Sequence, residues 1–325
     1  MNLAVEPSTD TGYARPRDPA EIWVARRWQD VLGFGVGITE NFFGVGGNSL
    51  DAARVINFVL DELDRELPLN AVTENPTVAR LAVLVREENA RTLSGPLVEI
   101  QGGDGTHPPL FMVHPASGQL GSYCHLARAL GDEYPLFGLQ PVGLYSDAAP
   151  ITTVEAMARV YLDAIRSVDP VGPYFLGGCS TGAAIAVELA GQLTGAGAEV
   201  ALLAAIDQDL VEPAGDLIDS SFHQLAQGRT PAEVLDDWKK HDLVPHDENP
   251  DFVTRSLRVW QANHDAVRDW RPAPYPGQLD IFHAPGDRRP VEWPATGAER
   301  AHECAEGQDG THLVTIADGL RRLIG

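Results

Sequence analysis

Two serines in this chain stand in settings that suit two different kinds of chemistry. Ser180 is framed as Gly178-Cys179-Ser180-Thr181-Gly182, preceded by the apolar run Tyr174-Phe175-Leu176 and followed by Ala183-Ala184-Ile185-Ala186. Glycines on both sides of a serine permit a sharp strand-to-helix turn that lifts its hydroxyl above a sheet, and the helix N-terminus behind it favours developing negative charge. Ser180 therefore reads as a nucleophile. Ser49 lies in Asn41-Phe42-Phe43-Gly44-Val45-Gly46-Gly47-Asn48-Ser49-Leu50, where two glycines leave room for another protein's active site to approach the hydroxyl. It reads as an attachment point, the competing role being a helix cap.

A serine nucleophile needs a base and an acid, and a strand-to-helix elbow of this kind expects them downstream in the order Asp/Glu, then His. Asp207 follows the apolar run Val200 to Ile206 and would sit at a strand's C-terminal end, with Asp209 as its competitor. His312, in Gly310-Thr311-His312-Leu313 just before the last helical stretch, is the expected base, with His283 and His302 as rivals. In that arrangement His312 takes the Ser180 proton and later returns one to the leaving group, while Asp207 holds the imidazole tautomer. Two backbone N–H groups should stabilise the oxyanion, one from Thr181 and one from the loop His114-Pro115-Ala116-Ser117-Gly118. Ala116 is the chosen second donor, Ser117 the alternative, and His114 is read as a loop residue rather than a second base.

These side chains have to be carried by two kinds of element. Residues 19–90 contain three apolar-striped segments, the first announced by Asp18-Pro19, the second opened by Ser49 and the third following Pro76, so a small helical bundle is expected. Residues 1–18 are polar and rich in Pro, Asp and Arg, and are expected to be a disordered tail; 91–107 is turn-forming and is expected to be a linker. Over 108–325 strand-length apolar runs (Leu110 to Val113, Leu136 to Leu139, Tyr174 to Leu176, Val200 to Ile206, Leu279 to Phe282) alternate with helical stretches. That alternation predicts a mainly parallel sheet covered by helices, an α/β-hydrolase fold given the elbow. Residues 212–272 interrupt it with helical segments alone and read as a lid.

Composition narrows the partners. A formal charge of −22 argues against nucleic acid, which demands a basic patch. Three cysteines without metal-like spacing suggest neither a disulfide framework nor a metal site, and a cytoplasmic location is expected. No apolar run approaches the length of a membrane span, so no membrane is expected as a partner.

The string Phe42-Phe43-Gly44-Val45-Gly46-Gly47-Asn48-Ser49-Leu50, with Glu74-Asn75-Pro76-Thr77-Val78-Ala79-Arg80-Leu81-Ala82, resembles the thiolation (peptidyl carrier) domains of nonribosomal peptide synthetases. The resemblance implies 4′-phosphopantetheine esterified to Ser49 by a phosphopantetheinyl transferase, carrying an acyl or peptidyl thioester. Pro109-Leu110-Phe111-Met112-Val113-His114-Pro115-Ala116-Ser117-Gly118, the Ser180 motif, Asp207 and Gly310-Thr311-His312 resemble the type I thioesterase domains that end such synthetases. Cys179, Ala183 and Thr311 depart from the usual residues of that family. Together the two resemblances imply a carrier–thioesterase didomain that receives a chain from upstream synthetase modules and releases it by hydrolysis or cyclisation. The alternatives are the same role on a polyketide or hybrid line, a carrier module whose hydrolase-like half only binds partners, and a serine hydrolase for free esters.

Overall fold

The computed structural model describes residues 13–86, 93, 95–207, 215–284, 296–304 and 311–325. Helix α1 (Pro19–Leu32) starts where Asp18 accepts a hydrogen bond from the Glu21 N–H at 2.8 Å and stops where Gly33 takes a φ of 83°. The cap and N1 proline are the start signal that Asp18-Pro19 announces, and the glycine ends the helix in the left-handed region. Helix α2 (Ser49–Leu63), the one-turn α3 (Ala71–Glu74) and α4 (Val78–Arg86) close the bundle around Trp28, Phe42, Val55, Val72 and Leu81. Phe42 is buried, whereas Phe43 is 36% exposed and meets Phe42 edge-on at 5.4 Å.

The remaining strands are β1 (Leu97–Gln101), β2 (Leu110–Val113), β3 (Leu136–Leu139), β4 (Tyr174–Cys179), β5 (Val200–Ile206), β6 (Tyr275–His283) and β7 (Thr296–Glu303). Among the described residues they form one seven-stranded sheet in the order β1-β3-β2-β4-β5-β6-β7, parallel except for the β1–β3 pair. Two strands depart from the expectation. β1 lies inside the stretch read as a linker over 91–107, because Val98 and Ile100 alternate with Glu99 and Gln101 and pair with β3. β7 is largely polar, as a sheet-edge strand is free to be. Residues 13–18, read as part of the disordered tail, are ordered: Arg17 and Asp18 are buried, and Arg17 is held at 2.5 Å by Glu21.

Alternate strand residues feed two apolar layers. Leu110, Met112, Leu202, Ala204 and Ile206 face α5 (Gly121–Leu130), while Phe111, Val113, Leu203 and Ala205 face α6 (Val154–Arg166) and α7 (Thr181–Gly195). The stretch over 212–272, read from the sequence as a lid, carries α8 (Gly215–Ala226), α9 (Pro231–Lys240) and α10 (Pro250–Asp269), no strand among its described residues, and a core of its own around Phe222, Trp238 and Phe252. After β7, α11 (Thr311–Ile324) returns to the α5 side of the sheet.

The bundle is seated on the sheet unit through α1. Ile22 is buried in the sheet's own apolar layer, and Arg26 and Arg27 reach Glu99 on β1 at 3.3 and 3.0 Å. Arg86 links the bundle to the α9–α10 connection, bonding Asp18 at 2.6 Å and also Asp247. The Asp18 and Asp247 charges favour its protonated form and, against the effect of burial, hold its pKa above the ordinary value.

Candidate active site

The chain leaves β2 for β3 on one side and then crosses back to β4 on the other, so a crevice opens at the C-terminal ends of β2 and β4, where such sheets bind ligands. Ser180 is there. It follows β4 with φ 53° and ψ −123°, a conformation L-residues rarely hold, and α7 begins at the next residue. Its neighbours make that turn possible. A Cβ on Gly178 would fall 2.3 Å from the Gly182 carbonyl oxygen, and a Cβ on Gly182 would fall 2.3 Å from that of His114. The helix thus starts hard against both its own strand and the loop after β2. Cys179, by contrast, is fully buried in the layer shared with Ile206, while Ser180 is half-buried at the turn.

Asp207 is the neighbour of Ser180 across the sheet. Cys179 pairs with Ile206, the Ser180 N–H donates to the Ile206 carbonyl at 3.3 Å, and the next residue is Asp207. The Asp207 N–H donates to Phe282 O at 3.0 Å and its Oδ2 accepts from the Ala284 N–H at 3.3 Å, which holds the carboxylate between the ends of β5 and β6. Cys304, just past β7, borders it as well: burial, with the Asp207 charge behind it, pushes this thiol up to about 11. Asp209, the competing acid, lies outside the described residues.

His312 is the second residue of α11 and is half-buried. Two turns on, α11 crosses β6 so closely that a Cβ on Gly319 would fall 2.5 Å from the Phe282 ring, and Ile316 and Ala317 pack in the same layer as Ile206. The helix start is therefore carried toward the strand ends that hold Ser180 and Asp207. Of the rival histidines, His302 Nε2 is 2.7 Å from Asp280 Oδ1, and His283 Nδ1 is 3.0 Å from the carbonyl of Ala284, the residue whose N–H meets Asp207.

Among the described residues, the N–H groups of Thr181 and Ala116 have no acceptor, and both residues are buried beside the Ser180 turn. The loop bearing Ala116 is tied down by His114, whose burial lowers its pKa to about 4 and keeps the ring neutral. His114 Nδ1 lies 2.7 Å from the Pro115 carbonyl, which can only accept, so Nδ1 carries the proton and Nε2 accepts from the Tyr161 hydroxyl at 2.8 Å. A neutral ring with both nitrogens engaged is the loop residue expected.

At the second serine, the helix cap is Asn48 rather than Ser49. Asn48 Oδ1 accepts from the Leu50 and Asp51 N–H groups at 2.8 and 3.2 Å, and Asp51 returns a bond to the Asn48 N–H at 3.3 Å. Ser49 is left exposed at the first position of α2, with its hydroxyl outside the cap. An exposed primary alcohol at a helix N-terminus fits attachment of a phosphodiester, whose negative charge that end of the helix favours. No group of three or more potential metal ligands, and no helix long and apolar enough to cross a membrane, occurs among the described residues.

Two residues beside this site carry no sequence signal. Asn263 on α10 donates to the Ala116 carbonyl at 3.1 Å across 147 positions, and Tyr161 reaches His114 across 47. Only the folded chain brings either pair together.

A family model for the thioesterase domain matches residues 108–323, and one for the phosphopantetheine attachment site matches residues 23–85. A probable non-canonical nonribosomal peptide synthetase of Salinispora arenicola is 34% identical over 65% of this chain, and a dimodular nonribosomal peptide synthase of Bacillus subtilis is 36% identical over 59%. Indigoidine synthase of Dickeya dadantii is 39% identical over 60% of the chain. The chain spans only 3%, 8% and 13% of these three relatives. Among solved structures, a holo four-domain nonribosomal peptide synthetase bound to AMP and glycine aligns over 99% of this chain and 27% of its own, with a TM-score of 0.80 and 23% identity. The NocB thioesterase domain, in covalent complex with a fluorophosphonate nocardicin G analog, aligns over 70% of this chain and 99% of its own at a TM-score of 0.53 and 25% identity.

Proposed function

Because the chain belongs to the thioesterase domain family and carries a phosphopantetheine attachment domain ahead of that unit, we propose that it releases finished chains from a nonribosomal peptide assembly line. The helical unit is the carrier, attached to its cofactor through Ser49. When bound, phosphopantetheine supplies a flexible thiol-ended arm that presents an acyl or peptidyl chain as a thioester. Upstream synthetase modules deliver that chain, and a phosphopantetheinyl transferase installs the arm. The names of the curated relatives support a peptide line over a polyketide one. The strand Leu97–Gln101, which pairs with β3, supports counting β1 with the thioesterase unit ahead of the boundary expected at residue 108.

In this reading Ser180 Oγ attacks the thioester carbonyl while His312 takes its proton, and Asp207 fixes the imidazole and stabilises its charged form. The N–H groups of Thr181 and Ala116 receive the developing oxyanion. His312 then gives its proton to the leaving sulfur, Ser180 keeps the acyl group as an ester, and water or a nucleophile within the acyl chain resolves that ester. The observation that carries the reading is the left-handed Ser180 turn, with its backbone N–H on Ile206 and Asp207 as the next residue.

The test is to load the carrier with a synthetic peptidyl-pantetheine and follow the protein by peptide-mapping mass spectrometry. The wild type should show a transient ester on the Ser180 peptide and free product, whereas Ser180→Ala should retain the chain on the Ser49 peptide. Product release by Ser180→Ala at the wild-type rate would refute the assignment.

A further inference from the structure

The loop that would supply the second oxyanion donor is held from two directions, and one of the anchors comes from the lid. The Pro115 carbonyl accepts from the Gly118 N–H at 3.0 Å and from His114 Nδ1 at 2.7 Å. A trans peptide points its C=O and N–H in opposite directions, so gripping the Pro115 oxygen aims the Ala116 N–H. The next peptide is gripped as well: the Ala116 carbonyl accepts from Asn263 Nδ2 at 3.1 Å, with both residues about 1% exposed. Residue 116 thus has the planes on both of its sides fixed.

Asn263 belongs to α10, and α10 is anchored to the sheet unit at several points. Trp270, immediately after it, donates from Nε1 to Glu188 on α7 at 3.1 Å, and Arg255 Nε donates to the Leu144 carbonyl at 3.0 Å. A Cβ on Gly118 would fall 3.3 Å from Val259, one turn before Asn263, so α10 lies directly on the loop. We propose that Asn263 is a positioning residue for the acyl-transfer step: the lid helix α10, through this one amide, fixes the Ala116–Ser117 plane and so locks residue 116 from its C-terminal side, which keeps the Ala116 N–H, aimed by the Pro115 carbonyl, where the oxyanion forms. The consequence is that α10 belongs to the catalytic framework, while α8 and α9 reach the loop only through the apolar core they share with α10 around Phe222, Trp238 and Phe252.

This inference rests on the oxyanion-hole reading of Ala116, and the experiment separates the two. The probe is a fluorophosphonate, which phosphorylates or phosphonylates a serine nucleophile through a charged transition state, expels fluoride and so reports on the donors without needing the natural substrate. Its maximal labelling rate and its half-saturating concentration are measured for the full chain. Asn263→Leu removes the donor and Asn263→Asp keeps the shape but offers only an acceptor when ionised. Both should lower the maximal rate by about 10- to 100-fold, below the loss typical of deleting a donor outright, with half-saturation unchanged. Ser256→Ala is the control: Ser256 is equally buried on α10 and its hydroxyl has no partner among the described residues, so its labelling should match the wild type. Near-wild-type maximal rates in both Asn263 variants, or a change confined to half-saturation, would overturn the inference while leaving the Ser180 assignment intact. Absence of labelling on Ser180 in the wild type would overturn the site reading and the inference with it. Should Asn263→Leu fail to fold, Asn263→Asp carries the same comparison.

Discussion

Acid should weaken this protein through His114, and the size of the effect follows from where the ring sits. In the unfolded chain an imidazole binds a proton below about pH 6.5; in the fold His114 resists it until about pH 4, because burial disfavours the charge and no charged side chain contributes. Between those values the unfolded state holds the extra proton, so the stability His114 contributes is whole above pH 6.5 and is lost as pH falls toward 4. A depression of this size is worth about 3 kcal/mol, lost at up to roughly 1.4 kcal/mol per pH unit. His125 is depressed to about 4 as well, by burial and then by the Arg15 and Arg128 charges, so the total slope of the wild type mixes contributions. A His114→Asn variant isolates one of them. Its amide can still donate to the Pro115 carbonyl, but it does not titrate, and the Tyr161 hydroxyl loses its acceptor at a cost of about 1–3 kcal/mol. Urea unfolding followed by tryptophan fluorescence at pH 7.5, 6, 5 and 4.5 should find the variant less stable at pH 7.5. The gap should then close, and can reverse, as pH falls, while the His125 and carboxylate contributions cancel between the two proteins. Parallel stability curves across that range would refute a neutral, depressed His114.

The attachment reading predicts a gain of ~340 Da on the Ser49 peptide after incubation with coenzyme A and a phosphopantetheinyl transferase, and none in Ser49→Ala; an unmodified wild type beside a loaded control carrier would rule it out. At the elbow, Ser180→Ala should abolish acyl-enzyme formation by several orders of magnitude, whereas Cys179→Ala, a truncation inside the apolar layer, should cost stability and retain acylation; a peptide map with the acyl group on Cys179 would reverse this. Gly182→Ala should remove activity and lower the melting temperature together, since its Cβ meets the His114 carbonyl oxygen at 2.3 Å with backbone on both sides of the contact. Hydrogen exchange should be slower in α10, which is bonded to the sheet unit, than in α8 and α9, and uniform protection over all three helices would count against α10 being the more firmly held element.

The sequence was most legible where the signal is local. The strand and helix around Ser180 need glycines at fixed offsets, and those offsets are visible in one dimension; the same holds for Asp18-Pro19 and Gly33 around α1. Two strands escaped for opposite reasons. β1 is short and sits among turn-forming residues, and β7 is an edge whose Glu299, Arg300, His302 and Glu303 give no apolar period. At Ser49 the helix start was readable, but which residue caps it was not, because Asn48 and Ser49 are both good caps and only the reciprocal bond from Asp51 decides between them. The oxyanion loop divided in the same way: its position after β2 was readable, and what holds it was not.

That last difference has a physical origin. A nucleophile, its acid and its base are recognised by residue type because the chemistry demands those functional groups, but an oxyanion donor is a backbone N–H that every residue except proline possesses. Nothing in the letters Ala116 or Ser117 marks the donor. What distinguishes one amide from its neighbours is the orientation of its peptide plane, which is fixed by whatever grips the preceding carbonyl and is locked in place by whatever grips the plane that follows. Here those grips are His114, itself held by Tyr161 on α6, and Asn263 on α10, so the direction of one N–H depends on two helices far apart in the chain. Substitutions at Tyr161 and Asn263 should therefore act on the maximal acylation rate through the same group, and a Tyr161→Phe, Asn263→Leu double variant should lose less than the product of the two single losses. If the losses multiply instead, the two helices position different groups, and Ala116 is not where they converge.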